Sequence, residues 1–92
     1  MEPTRLTLDI YCETTQNGTP AYRVYVDNDL LTERSWIWPA YEVYIQEYIE
    51  VDVAPGTHQL RIESCGAPTR FNTQNFMVNE QAQSSQDLTF TI

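Results

Sequence analysis

Residues 42–64 read Glu-Val-Tyr-Ile-Gln-Glu-Tyr-Ile-Glu-Val-Asp-Val-Ala-Pro-Gly-Thr-His-Gln-Leu-Arg-Ile-Glu-Ser, and this stretch decides the fold class. Apolar and polar side chains alternate through residues 43–53, and the alternation resumes through residues 58–62. A period of two residues is typical of a strand with one buried face and one exposed face. Pro55 and Gly56 favour a turn between the two segments. The stretch therefore predicts a long β-hairpin.

Two polar residues lie on the inward faces of this hairpin. Glu47 interrupts the apolar face, which indicates a strand edge, a bulge, or a partner to an arginine such as Arg34 or Arg61. His58 follows the turn on the inward parity. We expect a partly buried histidine there, bonded to a backbone carbonyl.

The rest of the chain carries further short strands separated by turn residues. Leu6, Leu8, Ile10 and Cys12 share one parity of the first strand, and Ala21–Val26 forms the second with Tyr22, Val24 and Val26 facing inward. Residues 30–36, 70–79 and 87–92 complete the set, with a tight hairpin about Asn28-Asp29. No helical stripe occurs. The pattern predicts one domain over residues 1–92, an all-β antiparallel β-sandwich of six or seven strands, jelly-roll or immunoglobulin-like.

Composition narrows the classes of partner. The net charge is −8, from 13 acidic residues against five arginines and no lysine, which argues against nucleic-acid or anionic-membrane binding. No apolar run approaches the roughly 18 residues of a membrane span, and the start lacks the pattern of a signal peptide, so a soluble protein is expected. Cys12 and Cys65 allow one disulfide or two reduced thiols.

Aromatic residues supply the main candidate site. Three cluster at a bend beside Pro39, and two lie on the predicted outer face of the next strand among acids and amides. Such rings pack in a core, anchor a protein interface or stack on sugars, and the sequence leaves all three readings open. The candidate ligand or interface residues are Trp36, Trp38, Tyr41, Tyr44 and Tyr48.

Three carboxylates around one turn, Asp27, Asp29 and Glu33, form a candidate metal site. Oxygen ligands of this kind suit calcium, although the spacing is not that of an EF-hand. A turn that uses Asp and Asn for local hydrogen bonds explains the same residues.

Catalytic arrangements are poorly supported, and we expect no enzyme. Glu50 and Asp52 share a strand face, but a glycosidase also needs one carboxyl group at raised pKa in a cleft. The single histidine has no serine in a nucleophile-elbow context, and there is no lysine for Schiff-base or P-loop chemistry.

Residues 22–31 and 53–62 share a pattern of strand, short polar turn, Pro-Gly corner and alternating strand. In this the chain resembles small β-sandwich accessory modules, namely carbohydrate-binding modules and the accessory or decoration proteins of tailed-phage virions. The resemblance implies a non-enzymatic structural or interaction module that binds a protein partner or a second copy of itself. A phage virion accessory protein is one such module. The alternative is a carbohydrate-binding module, with calcium assistance. An acidic mimic of nucleic acid is a third reading, based on charge alone.

Overall fold

The computed structural model describes residues 3–13, 18–37, 43–67, 69–83 and 87–92. These residues form strands and turns without a helix, so none of them belongs to a helix long and apolar enough to cross a membrane. In chain order the strands are β1 (Thr4–Cys12), β2 (Ala21–Val26), β3 (Asp29–Ser35), β4 (Ile45–Val51), β5 (Thr57–Ser64), β6 (Phe71–Val78), β7 (Gln81–Ala82) and β8 (Thr89–Thr91).

Two four-stranded antiparallel sheets pack face to face. The first sheet has the order β4-β1-β6-β7 and the second has the order β3-β2-β5-β8. The prediction of an all-β sandwich is confirmed. The described residues contain eight strands rather than six or seven, because β7 pairs briefly with β6 where the sequence predicted a polar loop.

The predicted long hairpin is wrong. β4 pairs with β1, from Thr4↔Val51 to Ile10↔Ile45, and β5 pairs with β2 and β8. The segment 52–56 therefore crosses from one sheet to the other instead of joining neighbours. Alternation fixes which side chains face the core, but both arrangements bury the same faces, so it does not choose the pairing partner.

The core lies between the two sheets, where the inward faces of β1 and β2 meet. Every side chain that parity placed inward on these strands is buried, and each large apolar one stabilises the fold by about 1.5–3 kcal/mol. The predicted inward faces are thus confirmed. The prediction that Asp9 faces outward to solvent is wrong, because Asp9 is buried and accepts a hydrogen bond from Asn75 Nδ2 at 2.8 Å. The buried hydrophobic residues of these two strands are Leu6, Leu8, Ile10, Cys12, Tyr22, Val24 and Val26.

A two-residue turn joins β2 to β3. Asp27 and Asn28 have φ values of 50° and 74°, and Val26 pairs with Asp29 across them. Positive φ at both central positions matches the right-handed twist of the strands, and Asn and Asp tolerate it. The sequence predicted this hairpin about Asn28-Asp29, and the structure centres its turn one residue earlier, on Asp27-Asn28.

The two cysteines are not joined in a disulfide. Cys12 is buried, with its Sγ 3.7 Å from Thr69 Oγ1, whereas Cys65 is exposed. Of the two readings that the sequence left open, the structure has the reduced thiols.

Candidate functional site

The outer face of the first sheet carries a group of tyrosines. Tyr44 and Tyr48 are 54% and 57% exposed, and Tyr11 of β1 is half-buried beside Tyr44, with ring centroids 5.3 Å apart and planes tilted by 36°. We call the patch formed by Tyr11, Tyr44, Gln46, Tyr48 and Glu50 the tyrosine face.

Strand parity places these side chains outside. Glu47, Ile49 and Val51 of β4 are buried, so the residues between them point away from the core. The register then aligns the neighbouring strands, since Tyr48 lies opposite Thr7 of β1. The result is a surface of tyrosine rings and polar side chains on the outer side of the sheet.

Hydrogen bonds fix the polar end of this face. The Tyr48 hydroxyl donates to Glu50 Oε1 at 2.9 Å, and this carboxylate raises the pKa of Tyr48. Arg5 lies opposite Glu50 in the register, and its Nη1 is 3.5 Å from Glu80 Oε1. The face therefore presents apolar rings with acidic and amide groups beside them, which is the arrangement the sequence predicted for Tyr44 and Tyr48.

Trp36 does not belong to this surface. It is 1% exposed, its ring lies 6.0 Å from that of Phe71, and its backbone N–H donates to Pro20 O at 2.7 Å. As a candidate ligand residue it is corrected to a core residue, because the end of β3 turns its side chain between the sheets. Trp38 and Tyr41 lie outside the described residues.

The candidate calcium ligands are not brought together. The Asp27 carboxylate accepts hydrogen bonds from the Gln59 N–H at 3.0 Å and from the His58 ring, while Glu33 accepts one from Arg23 Nε at 2.7 Å. In the described part of the chain no three acidic, histidine or cysteine side chains are grouped to hold a metal ion. The structure separates Glu33 from the other two carboxylates, because Glu33 lies farther along β3 and pairs with Arg23. Calcium binding stays a prediction.

Glu47 is the centre of a buried polar cluster. It is 4% exposed, and its carboxylate accepts a hydrogen bond from the Tyr22 hydroxyl and one from Arg34 Nε at 2.5 Å. Burial raises the pKa of Tyr22 well above its usual range, with Glu47 adding to the effect, and Glu47 raises the pKa of Arg34. The predicted pairing with Arg34 is confirmed. We call Tyr22, Arg34 and Glu47 the latch, because they join β2, β3 and β4 across the two sheets.

Sequence reasoning missed two members of these groups. Tyr11 alternates with Ile10 and Cys12 and so has the outward parity of β1, but its proximity to Tyr44 depends on the β1–β4 pairing, which parity does not give. Tyr22 was placed inside, and the signal for its role was available: its hydroxyl needs a buried partner, and Glu47 shares the core.

His58 matches its prediction. Its side chain is 14% exposed, and its Nε2 lies 2.6 Å from Ala54 O. Nδ1 contacts the Asp27 carboxylate, so both ring nitrogens face acceptors and the protonated ring fits the site.

No protein-family model matches this chain, and no curated protein or solved structure shows significant similarity to it.

Proposed function

We propose that this protein is a non-enzymatic structural or interaction module that binds a protein partner, or a second copy of itself, through the tyrosine face. One observation carries the proposal: Tyr44 and Tyr48 are each more than half exposed, and both lie on the outer side of the first sheet. Tyrosine is enriched in interface cores because it offers a large contact area at a low cost in side-chain entropy.

The geometry of the face suits a flat protein surface. Tyr44 immediately precedes β4 and Tyr48 lies within it. Their separation of four residues corresponds to about 13 Å along an extended chain. Tyr11 widens the patch on the Tyr44 side, while Glu50 supplies a carboxylate at the other end. A partner that covers both rings therefore also meets an acidic rim, which favours basic groups in the partner.

Binding of a glycan is the second candidate, and the exposure of Tyr44 and Tyr48 beside Gln46 favours it. Rings that stack on sugars need open faces, with amides and carboxylates nearby to bond hydroxyl groups. The tilt of 36° between Tyr11 and Tyr44 makes this pair a poor single platform for a sugar ring. We therefore place protein recognition first.

A panning experiment with a library of displayed random peptides, together with sedimentation equilibrium and a glycan array, tests the proposal. The Y44S/Y48S variant should lose affinity for peptides that bind the tyrosine face, or for a second copy, by at least about tenfold, because central tyrosines commonly dominate interface energies. Thermal unfolding should change little, since both side chains are exposed.

Tyr25 offers a matched control on the other sheet. It faces outward from β2, and its ring lies 4.3 Å from the Arg61 guanidinium. The Y25S variant should keep the affinity of the original protein. The proposal would be contradicted if no selected peptide and no self-association depended on Tyr44 and Tyr48, and glycans that bind in a tyrosine-dependent manner would replace it with the second candidate.

A further inference from the structure

A pocket lies at the open edge of the sandwich, between β3 of the second sheet and the end of β4 in the first. It has a volume of about 240 Å³. Half of its lining residues are aliphatic and the other half are acidic. We call it the edge groove, and its lining residues are Val26, Asp27, Asp29, Leu31, Glu50, Val51, Asp52 and Val53.

The strand beside the groove is an edge strand of its sheet among the described residues. β3 occupies the end of its sheet, and in the described part of the chain it pairs only with β2. Six of its seven residues are exposed, including Leu30 at 54% and Leu31 at 40%. An edge of this kind presents unpaired backbone N–H and C=O groups to an incoming strand.

A β-bulge brings one of these leucines to the groove. Val24 pairs with Thr32 and Tyr25 with Leu30, so Leu31 is the extra residue in β3. Bulges commonly re-aim a side chain, and here Leu31 lines the groove together with Val51 of the opposite sheet. The lining thus combines aliphatic side chains with carboxylates, which give the groove a negative charge.

We propose that the edge groove binds an extended basic segment of a protein partner, which adds to β3 as a further strand and inserts a lysine or arginine side chain into the groove. Strand addition supplies main-chain hydrogen bonds, and a side-chain pocket supplies specificity. A long basic side chain matches both halves of the lining, since its methylene stem packs on aliphatic groups and its cationic head meets carboxylates.

Charge and size distinguish this occupant from others. Each copy of the chain has a net charge of −8, so two copies repel each other overall, whereas a basic segment of a partner is attracted. The described residues form no group of ligands for a metal ion. The volume is also below the roughly 300–1,000 Å³ of pockets for drug-sized ligands, which favours a single side chain.

The test uses the labelled probe acetyl-Thr-Lys-Val-Lys-Val-Lys-Thr-amide, whose lysines share one face in either strand direction. Fluorescence anisotropy should report saturable binding that weakens as salt rises from about 0.05 to about 0.5 M. The same peptide with glutamine in place of lysine should bind at least tenfold more weakly. In ¹⁵N-labelled protein, amide shifts should concentrate on β3 and on Val51 to Val53.

Two double variants separate the groove from general attraction by charge. D29N/D52N should lower the affinity for the lysine peptide at least tenfold. E63Q/E80Q removes the same charge from exposed positions outside the groove and should lower it less than twofold. Circular dichroism melts confirm that each variant is folded.

Four results of the peptide experiments would overturn the proposal. These are no saturable binding, equal binding of the glutamine peptide, equal losses in the two double variants, and amide shifts that leave β3 unchanged. Peptide-free dimerisation through β3 would also overturn it, because the occupant would then be a second copy.

Discussion

The open edge between β3 and β4 is built differently at its two ends. At one end, the latch buries the Glu47 carboxylate and supplies it with donors from Tyr22 and Arg34. At the other end of the same strands, the edge groove places exposed carboxylates around Leu31 and Val51. Carboxylates of similar intrinsic chemistry therefore have two roles along this edge, one in the packing of the sheets and one at an exposed surface.

The difference shows that burial determines whether a carboxylate stabilises the fold or stays open to a ligand. A carboxylate removed from water must be fully partnered, so Glu47 contributes to holding the sheets together but offers nothing to a ligand. Carboxylates that keep their water cost little and stay available to a cation. We therefore expect changes at the latch to alter stability and changes at the groove to alter binding.

The largest effect is expected from R34M, which leaves the Glu47 carboxylate buried without its cation. Breaking a buried ion pair costs about 3–5 kcal/mol, and Arg34 itself is 42% exposed, so we expect a loss of about 2–3 kcal/mol. Urea unfolding followed by circular dichroism measures it.

The exposed pair Arg23–Glu33 is the matched control. Its side chains are 43% and 54% exposed, and the Nε–Oε1 distance is 2.7 Å. The R23M variant should lose less than about 1 kcal/mol, as exposed pairs do. Equal losses in R34M and R23M would mean that burial of Glu47 has no energetic consequence.

Y22F should have an intermediate effect. It removes the hydroxyl donor but leaves Glu47 with Arg34, so we expect a loss of about 1.5 kcal/mol in the free energy of unfolding. Y48F removes an exposed hydroxyl bonded to Glu50 and should change it by less than about 0.5 kcal/mol. A Y22F variant as stable as Y48F would remove Tyr22 from the latch.

The pH dependence of stability tests the groove's contact with His58. The Ala54 carbonyl, and then Asp27, raise the pKa of His58 above 6.5, so its stabilising contribution is complete below that pH and is lost as pH rises through the raised pKa. The Gln59 N–H, and then His58, lower the pKa of Asp27 below 3.8, so its contribution is lost only in acid.

Melting temperatures of the original protein and H58Q should therefore differ most near pH 6. The difference should shrink toward pH 9, because the imidazolium that both acceptors require is lost there. A constant difference over this range would show that His58 acts by packing against Phe90, 5.7 Å away between ring centroids, rather than by charge.

The smallest effect is expected from L31S at the groove. Leu31 is 40% exposed and belongs to an edge bulge, so its loss should change the free energy of unfolding by less than about 0.5 kcal/mol. Urea unfolding checks this value. A loss comparable to that of R34M would mean that the groove, like the latch, is part of the core.

Much of the fold follows from parity, as β1 and β2 illustrate. Leu6, Leu8 and Tyr22 face inward as predicted, because one-residue alternation determines the buried face of a strand. The pairing of β4 was wrong because it depends on contacts distant in sequence. The Pro55-Gly56 corner directs the chain to the opposite sheet, and a local turn signal does not distinguish that path from a hairpin.

The sites were predictable only in part. Glu47 was recognisable in the sequence as a polar residue on an apolar strand face, and Arg34 was among its expected partners. Trp36 was misplaced because a tryptophan near a bend fits either a core or a surface. The edge groove was not predicted, because it requires the bulge at Leu31 and the juxtaposition of β3 with the end of β4.

A double-mutant cycle on Arg34 and Glu47 tests the contrast between latch and groove most directly. Urea unfolding of R34M, E47Q and R34M/E47Q gives the coupling energy between the two side chains. The buried carboxylate predicts a coupling of about 2 kcal/mol or more. A coupling below about 0.5 kcal/mol, as for an exposed ion pair, would contradict the contrast between latch and groove. The buried carboxylate would then contribute no more to stability than an exposed one.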